Sequence, residues 1–222
     1  MKHLRLILVL IAYNPIFAQT GYEINGHIKG LPDHATIYLI NGGKRKTIDY
    51  ALVKNERFIL QGRVDDAFHA YLYEGKLNKL ADILLDNRKI TVSGGKPVFD
   101  SITISGSDID EQWKEWYKED QQIGYRSYKI NQVIASLAKA NDAANTAILR
   151  EIVDDLMKER IKLLKSSVKK YGHTPAGALL PNLCTIQDKC TKTDFWDMYQ
   201  YLSLEIQKTY LGQEVLKLAN KK

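Results

Sequence analysis

The stretch "SITISGSDIDEQWKEWYKEDQQ", residues 101–122, changes its hydrophobic period half-way along. Ile102 and Ile104 alternate with serine and threonine up to Gly106, the period-two pattern of a half-buried strand. Beyond it, Trp113, Trp116 and Tyr117 fall on one face of a helix, and Ser107 or Asp108 stands where an N-cap belongs. The chain therefore divides near residue 107 into a strand half and a helix half.

Working back towards the N-terminus, the same alternation recurs in short segments separated by glycine, proline or asparagine. They are "YEINGHIKG" from Tyr22, "ATIYLING", "KTIDYALV", "RFILQGRV", "AFHAYLYE", "LADILLDN", "KITVSGG" and "DSITISGS". Tyr22, Ile24 and Ile28 are the expected inward side chains of the first. Seven to eight strands at close spacing, with no helix between them, predict antiparallel pairing in a sandwich or open barrel. Working forward, Ile148, Ile152, Leu156, Leu163 and Leu164 make a helical stripe that stops at Gly172, a residue able to take a left-handed cap. Thr174–Pro175 reads as an N-cap and first helical position, and Thr193 or Asp194 as the cap of a further helix through "FWDMYQYLSLEIQKTY". The expected fold is α+β: an antiparallel β-sandwich over residues 19–107, and an all-helical region over 108–222 packed on it.

Residues 1–18 have the layout of a secretory signal peptide: basic "MKHLR", then apolar "LILVLIAYNPIFA" ending at Ala18. The apolar run spans about 20 Å as a helix, short of a hydrocarbon core of roughly 30 Å. No cysteine follows it to be acylated. The expected location is periplasmic or secreted, with no stable membrane insertion after cleavage. Losing Lys2 and Arg5 lowers the formal charge from +6 to +4. Basic and acidic residues are interleaved, so nothing argues for a nucleic-acid partner.

The only cysteines are Cys184 and Cys190. In an oxidising compartment two cysteines this close usually pair, and closing a seven-residue loop stabilises a fold by about 2.4 kcal/mol in the chain-entropy model. A structural disulfide is the expectation, with free thiols and a redox-active pair as the alternatives. The spacing C-x5-C is not the C-x-x-C of an exchange centre.

The remaining motifs are weaker. "NGGK" (41–44) and "SGGK" (93–96) lack phosphate-loop spacing and read as hairpin turns. "SDIDE" clusters Asp108, Asp110 and Glu111 without the rest of a calcium loop and reads as helix-capping acids. Asp65–Asp66 and Asp154–Asp155 have no sequence support as a glycosidase pair. Tyr71 and Tyr73 could line a sugar-binding face, but cross-strand packing explains them more cheaply. His173 has no ligand set around it. No catalytic motif, cofactor site or metal site is read, so the chain is expected not to be an enzyme.

The order of segments resembles an N-terminal domain of unknown function that precedes thioredoxin/peroxiredoxin-like domains in envelope thiol–disulfide interchange proteins of Bacteroidetes-type bacteria. The matching positions are Ile24, Gly26, Ile28, Gly30 and Leu31, then Phe58, Leu60, Gly62 and Val64, then Ile90, Val92, Gly94, Ile104, Gly106 and Ser107. The family's turn glycine before Phe58 is replaced by Glu56–Arg57. No W-C-x-x-C is present, and the chain stops at Lys222, about where a thioredoxin-like domain would begin. The resemblance implies an exported accessory or interaction module, or a truncated relative of a longer enzyme. Its expected partner is a separate envelope thiol–disulfide protein or a second copy of itself. The alternatives are a small redox protein using Cys184 and Cys190, and a binder of small molecules or glycans.

Overall fold

Among the described residues, eight strands come first along the chain and six helices follow, in the order the hydrophobic period implies. The structure is a computed structural model that describes residues 21–96 and 101–221; the signal-peptide expectation lies outside the described residues. The strands are β1 (Tyr22–Lys29), β2 (Thr36–Asn41), β3 (Thr47–Leu52), β4 (Arg57–Gly62), β5 (Phe68–Glu74), β6 (Asn78–Leu85), β7 (Lys89–Gly95) and β8 (Thr103–Ser105). They make two four-stranded sheets, ordered β4-β1-β7-β8 and β3-β2-β5-β6.

Alternation decides which side chains face inward. Ile24, Ile28, Phe58, Leu60, Ile90 and Val92 from the first sheet meet Ile37, Leu39, Ala70, Leu72, Ile83 and Leu85 from the second. Tyr22 is buried with them, as expected. One pairing departs from the antiparallel expectation: β1 and β7 run parallel, Ile24 beside Ile90 and Gly26 beside Val92. Fifty-nine residues lie between the two strands, so no hairpin dictates their direction. The chain crosses to the other sheet and back twice between them.

Local chemistry sets the turns. The β3–β4 hairpin closes through Asn55 (φ 52°) and Glu56 (φ 61°), both left-handed, the backbone of a type I′ turn normally given to Asn-Gly. Here Glu56 compensates by accepting the Gly30 N–H at 2.8 Å. "NGGK" turns β2 into β3 as expected, with Asn41 accepting the Arg45 N–H on its carbonyl and the Lys44 N–H on its side chain. "SGGK" closes strand β7 rather than forming a turn of its own, and residues 97–100 beyond it lie outside the described residues. Gly26 is required by close approach: a Cβ there would stand 2.1 Å from the Phe58 ring.

The helices are α1 (Asp108–Lys139), α2 (Ala143–Tyr171), α3 (Pro175–Leu183), α4 (Lys192–Tyr201), α5 (Leu204–Lys208) and α6 (Tyr210–Asn220), with a 3-10 turn at Gln187–Lys189. Their core holds Trp113, Trp116, Leu164, Val168, Leu179, Met198 and Val215, and it includes Leu84 of β6. That strand is buried on both faces, Ile83 against the sandwich and Leu84 against the helices.

Three cap expectations need correction. Gly172 is right-handed (φ −62°, ψ −11°); it is needed because a Cβ would stand 2.2 Å from the Tyr201 carbonyl oxygen. The cap of α4 is Thr191, whose hydroxyl accepts the Asp194 N–H while Asp194 accepts the Thr191 N–H, a reciprocal capping box. The helix read through residues 195–210 breaks twice, because Ser203 and Thr209 each cap a new start.

The two halves are joined by Asp110, which is 1% exposed. Its Oδ1 accepts the Leu84 N–H of β6 at 2.8 Å and the Trp113 indole N–H at 3.0 Å. Its Oδ2 accepts Lys114 Nζ at 2.6 Å, and its own N–H is held by the Ser107 hydroxyl, the N-cap of α1. Removing a buried acceptor strands its donors. Asp110→Ala is therefore expected to lower unfolding free energy by about 3 kcal/mol, measured by denaturant titration; a change below about 1 kcal/mol would refute the role.

Asp86 next to this latch behaves in the opposite sense. Burial, then the nearby Asp110, push its carboxyl above the ordinary carboxylate range, with Arg88 opposing. One of its oxygens is buried without a hydrogen-bond partner. A carboxyl whose folded pKa is raised destabilises the fold once pH exceeds its unfolded value. Asp86→Asn is therefore expected to raise the melting temperature at pH 7, with the gain vanishing as pH falls through the carboxylate range. A gain that grew on acidification would contradict the assignment.

Candidate functional site

Two places gather side chains that the fold alone does not require. The first is the junction of α1, α2 and the loop after α3. Asp120 and Arg160 are both buried there, and Arg160 bonds bidentately, Nε to Oδ1 at 2.7 Å and an Nη to Oδ2 at 2.6 Å. The same Nη donates to Thr185 Oγ1 at 2.9 Å. This network fixes the residue next to Cys184.

Cys184 sits just past the last turn of α3 and is 6% exposed. Cys190 follows the 3-10 turn, directly before the Thr191 cap of α4, and is half-buried. Both are free thiols in this structure; no disulfide joins them. They are neighbours nonetheless. The Cys184 S–H donates to the Pro181 carbonyl at 3.4 Å. Interaction with the Cys190 sulfur, then burial, pushes the Cys184 thiol up. The same interaction draws Cys190 below the ordinary thiol range, with burial, Asp194 and Asp188 opposing and Lys165 assisting. Lys165 is itself held by Asp194 at 3.0 Å and Asp197 at 2.7 Å. The pair is unequally placed: Cys184 is buried and Cys190 half-buried.

Beside Lys165 runs a groove of about 460 Å³ between α2 and α4, lined by Lys158, Lys162, Lys165, Lys169, Asp194 and Tyr201. Lys165 is neutralised by its two aspartates, and Lys169 lies over the Tyr201 ring.

The second place is the outer face of the sheet β3-β2-β5-β6. The registers Tyr38↔Tyr50 and Tyr38↔Tyr73 line three tyrosines across β3, β2 and β5. One row on, Ile40 lies beside Tyr71, and on the edge strand Ile48, Tyr50 and Leu52 are exposed, the last two by 65% and 59%. The register of β3 shifts between the partners of Leu39 and Ile40, leaving Ile48 as the extra residue. Tyr71 is flanked by cations, Arg45 at 5.4 Å and Lys79 at 4.6 Å from its ring centre. At the far end of this face His69 bonds Asp82 at 3.0 Å and stacks edge-on against Trp113 of α1. Burial would raise the Asp82 carboxyl, but hydrogen bonds from His69 and Lys79 outweigh it and hold it below its ordinary value. The helices thus cover one end of the sheet, at Leu84 and His69, and leave the tyrosine rows open.

The other candidates stay apart. Asp65–Asp66 is exposed after β4, Asp154–Asp155 is exposed on α2, and His173 is exposed between α2 and α3. Among the described residues no three His, Cys, Asp or Glu side chains are grouped to hold a metal ion, and no helix is long and apolar enough to cross a membrane. Of "SDIDE", Asp110 is a latch and Asp108 pairs with Arg88. The exposed Ile48, Tyr50 and Leu52 carry no sequence signal of exposure, since β3 alternates like its neighbours.

The eight strands and the Asp110 latch together define a unit that ends inside α1. Residues 22–113 match the family model Domain of unknown function (DUF4369). The matched segment begins at the first residue of β1 and ends at Trp113, the indole that donates to Asp110. The DUF4369 match therefore takes in the sandwich, the tyrosine face and the latch, whereas both cysteines lie outside it. No curated protein and no solved structure matches the chain.

The unequal thiols have a direct test. Cys190 is expected to react with iodoacetamide at least about tenfold faster than Cys184 in the native, reduced protein, its rate rising at lower pH than an ordinary thiol's. Cys184→Ala, which removes the neighbouring thiol that draws Cys190 down, is expected to move that rise upward in pH. Equal labelling of the two residues by mass spectrometry would overturn the asymmetry.

Proposed function

We propose that this chain is a non-catalytic, exported interaction module of the bacterial cell envelope, released after Ala18 into the periplasm or beyond. The observation that carries the reading is the open tyrosine face. Edge-strand Tyr50 and Leu52 are largely exposed beside Tyr38, Tyr73 and Tyr71. A contiguous aromatic and aliphatic patch on a soluble protein marks a place where another surface docks. Tyrosine suits that role, being large, rigid and amphipathic. The rim is basic at the β2–β3 turn, with Lys44, Arg45 and Lys46. The face therefore fits a protein partner that is apolar at its centre and acidic at its edge. A separate envelope thiol–disulfide protein is the first candidate, from the resemblance of the strand motifs.

A second reading is supported by one specific observation, the unequal thiols. A half-buried Cys190, its thiol drawn down, beside a buried Cys184, its thiol pushed up, suits an attacking thiol with its resolving partner. In that reading the Cys190 thiolate attacks a substrate disulfide and Cys184 resolves the mixed disulfide, leaving Cys184–Cys190 oxidised and the substrate reduced. In an oxidising compartment the same pair would close as the structural disulfide expected from the sequence. A reduction potential below about −300 mV favours the staple, and one between roughly −200 and −120 mV the exchange centre.

Docking on the tyrosine face is tested by a photo-crosslinking amino acid placed at position 50 or, as control, at exposed position 205, in cells that export the protein. Crosslinks to a protein of acidic surface are expected from position 50 only, and Leu52→Ser is expected to suppress them. Equal crosslinking from both positions, or none from 50, would overturn the reading.

A further inference from the structure

The longest helices outrun the body they pack on. At 1.5 Å per residue α1 is about 48 Å long and α2 about 43 Å. Yet the last buried residue of α1 is Ile123, and before Leu156 the only buried residue of α2 is Thr146. The final sixteen residues of α1 and the facing part of α2 thus form a two-helix arm, about 24 Å long, beyond the helical core.

The arm has an internal seam. Ile123, Ser127, Ile130, Ile134 and Leu137 follow each other at alternating four- and three-residue steps, as do Thr146, Leu149, Val153 and Leu156, the spacing of helices that pack along a shared stripe. Most of these seam residues are only half-buried, because a two-helix arm leaves its seam open at the sides. Beside the seam lies an apolar flank. Arg126 and Glu159 form an ion pair at 3.0 Å. One heptad further towards the tip, that register sets Val133 opposite Ile152, with Ile148 a turn beyond. These three are 50%, 42% and 56% exposed. Tyr125 and Tyr128 fall on the far side of α1, where Lys129 and Gln132 already engage them.

Charge on the arm is segregated by helix. From 124 to 139, α1 carries Arg126, Lys129 and Lys139 and no acid. From 143 to 159, α2 carries Glu151, Asp154, Asp155 and Glu159 against Arg150 and Lys158. A surface with one basic and one acidic half is complementary to itself under a two-fold rotation, which lays each α1 against the other copy's α2.

The geometry points to a second copy of this chain as the occupant of the flank: two arms pack antiparallel into a four-helix bundle, closing over Val133, Ile148 and Ile152. Two helices about 10 Å wide and about 24 Å long present on the order of 500 Å² per copy, at the low end for a stable interface. The dimer is therefore weak, with a dissociation constant in the micromolar range. It uses a different surface from the tyrosine face and does not depend on what docks there.

Sedimentation of the purified mature chain from about 1 to 300 µM tests the proposal. The expected result is a weight-average mass that rises from monomer towards dimer and no further, and rises less as salt screens the arm. Val133→Ser with Ile152→Ser is expected to hold the mass at monomer throughout, with circular dichroism essentially unchanged, because both positions are largely exposed. Monomer at every concentration, a dimer that survives the double substitution, or growth beyond dimer would each overturn it. Crosslinking from position 50 in the double variant separates this outcome from the fate of the docking reading.

Discussion

A single buried carboxylate holds the two halves of this molecule in register. Asp110 accepts a backbone N–H from β6 and the indole N–H of Trp113 on one oxygen, and a lysine ammonium on the other. Each donor would be costly to bury alone, and together they satisfy a charge that is itself almost wholly enclosed. Because the strand partner is the N–H of Leu84, the latch also seats the Leu84 side chain in the helical core. The edge of the second sheet thereby becomes the floor of the helical region. Everything placed relative to that floor inherits its position: Trp113 against His69, the covered end of the sheet, and the open tyrosine rows next to it.

A second charged pair, Asp120 with Arg160, does the corresponding work inside the helical region. Its bidentate geometry ties α1 to α2, and the third bond to Thr185 reaches the loop that carries Cys184. Beyond this pair, towards the tip, no further charged residue is buried in either helix. The arm thus starts where the last fully enclosed interaction ends, with exposed aliphatic side chains on a surface the body does not reach. The two thiols sit on the opposite side of the same anchor, held in unequal surroundings by the end of α3 and the start of α4.

Much of the strand half was legible in the chain because period-two alternation reports directly on a sheet with one wet and one dry face. Tyr22, Ile24 and Ile28 point inward as their spacing demands. The parallel β1–β7 pair was not legible, since alternation is blind to the direction of a neighbour distant in sequence. Caps showed the same division. Ser107 was readable from its place before a helical stripe, but Thr191 outranks Asp194 and Thr193 because it can reciprocate with Asp194. Gly172 is a glycine for a reason its own neighbourhood in sequence does not show: the group that forbids a Cβ, the Tyr201 carbonyl, lies twenty-nine residues on. Asp110 looked like one of several capping acids, and only the approach of β6 distinguishes it from Asp108 and Glu111.

The candidate sites divide in the same way. Residue order alone determines that the chain is a strand half followed by a helix half, that its first eighteen residues are basic and then apolar, and that its two cysteines lie six positions apart. Those properties depend on neighbours close in sequence, where hydrophobic period and cap chemistry act. Tertiary structure decides which face of a strand stays wet, which of three neighbouring acids becomes the latch, and which of the two cysteines is enclosed. Each of these turns on burial and on a partner brought in from a distant part of the chain, and neither is written in local order. Tyr50 and Leu52 alternate like core residues, and they lie on the surface because the helices stop at the other end of the sheet.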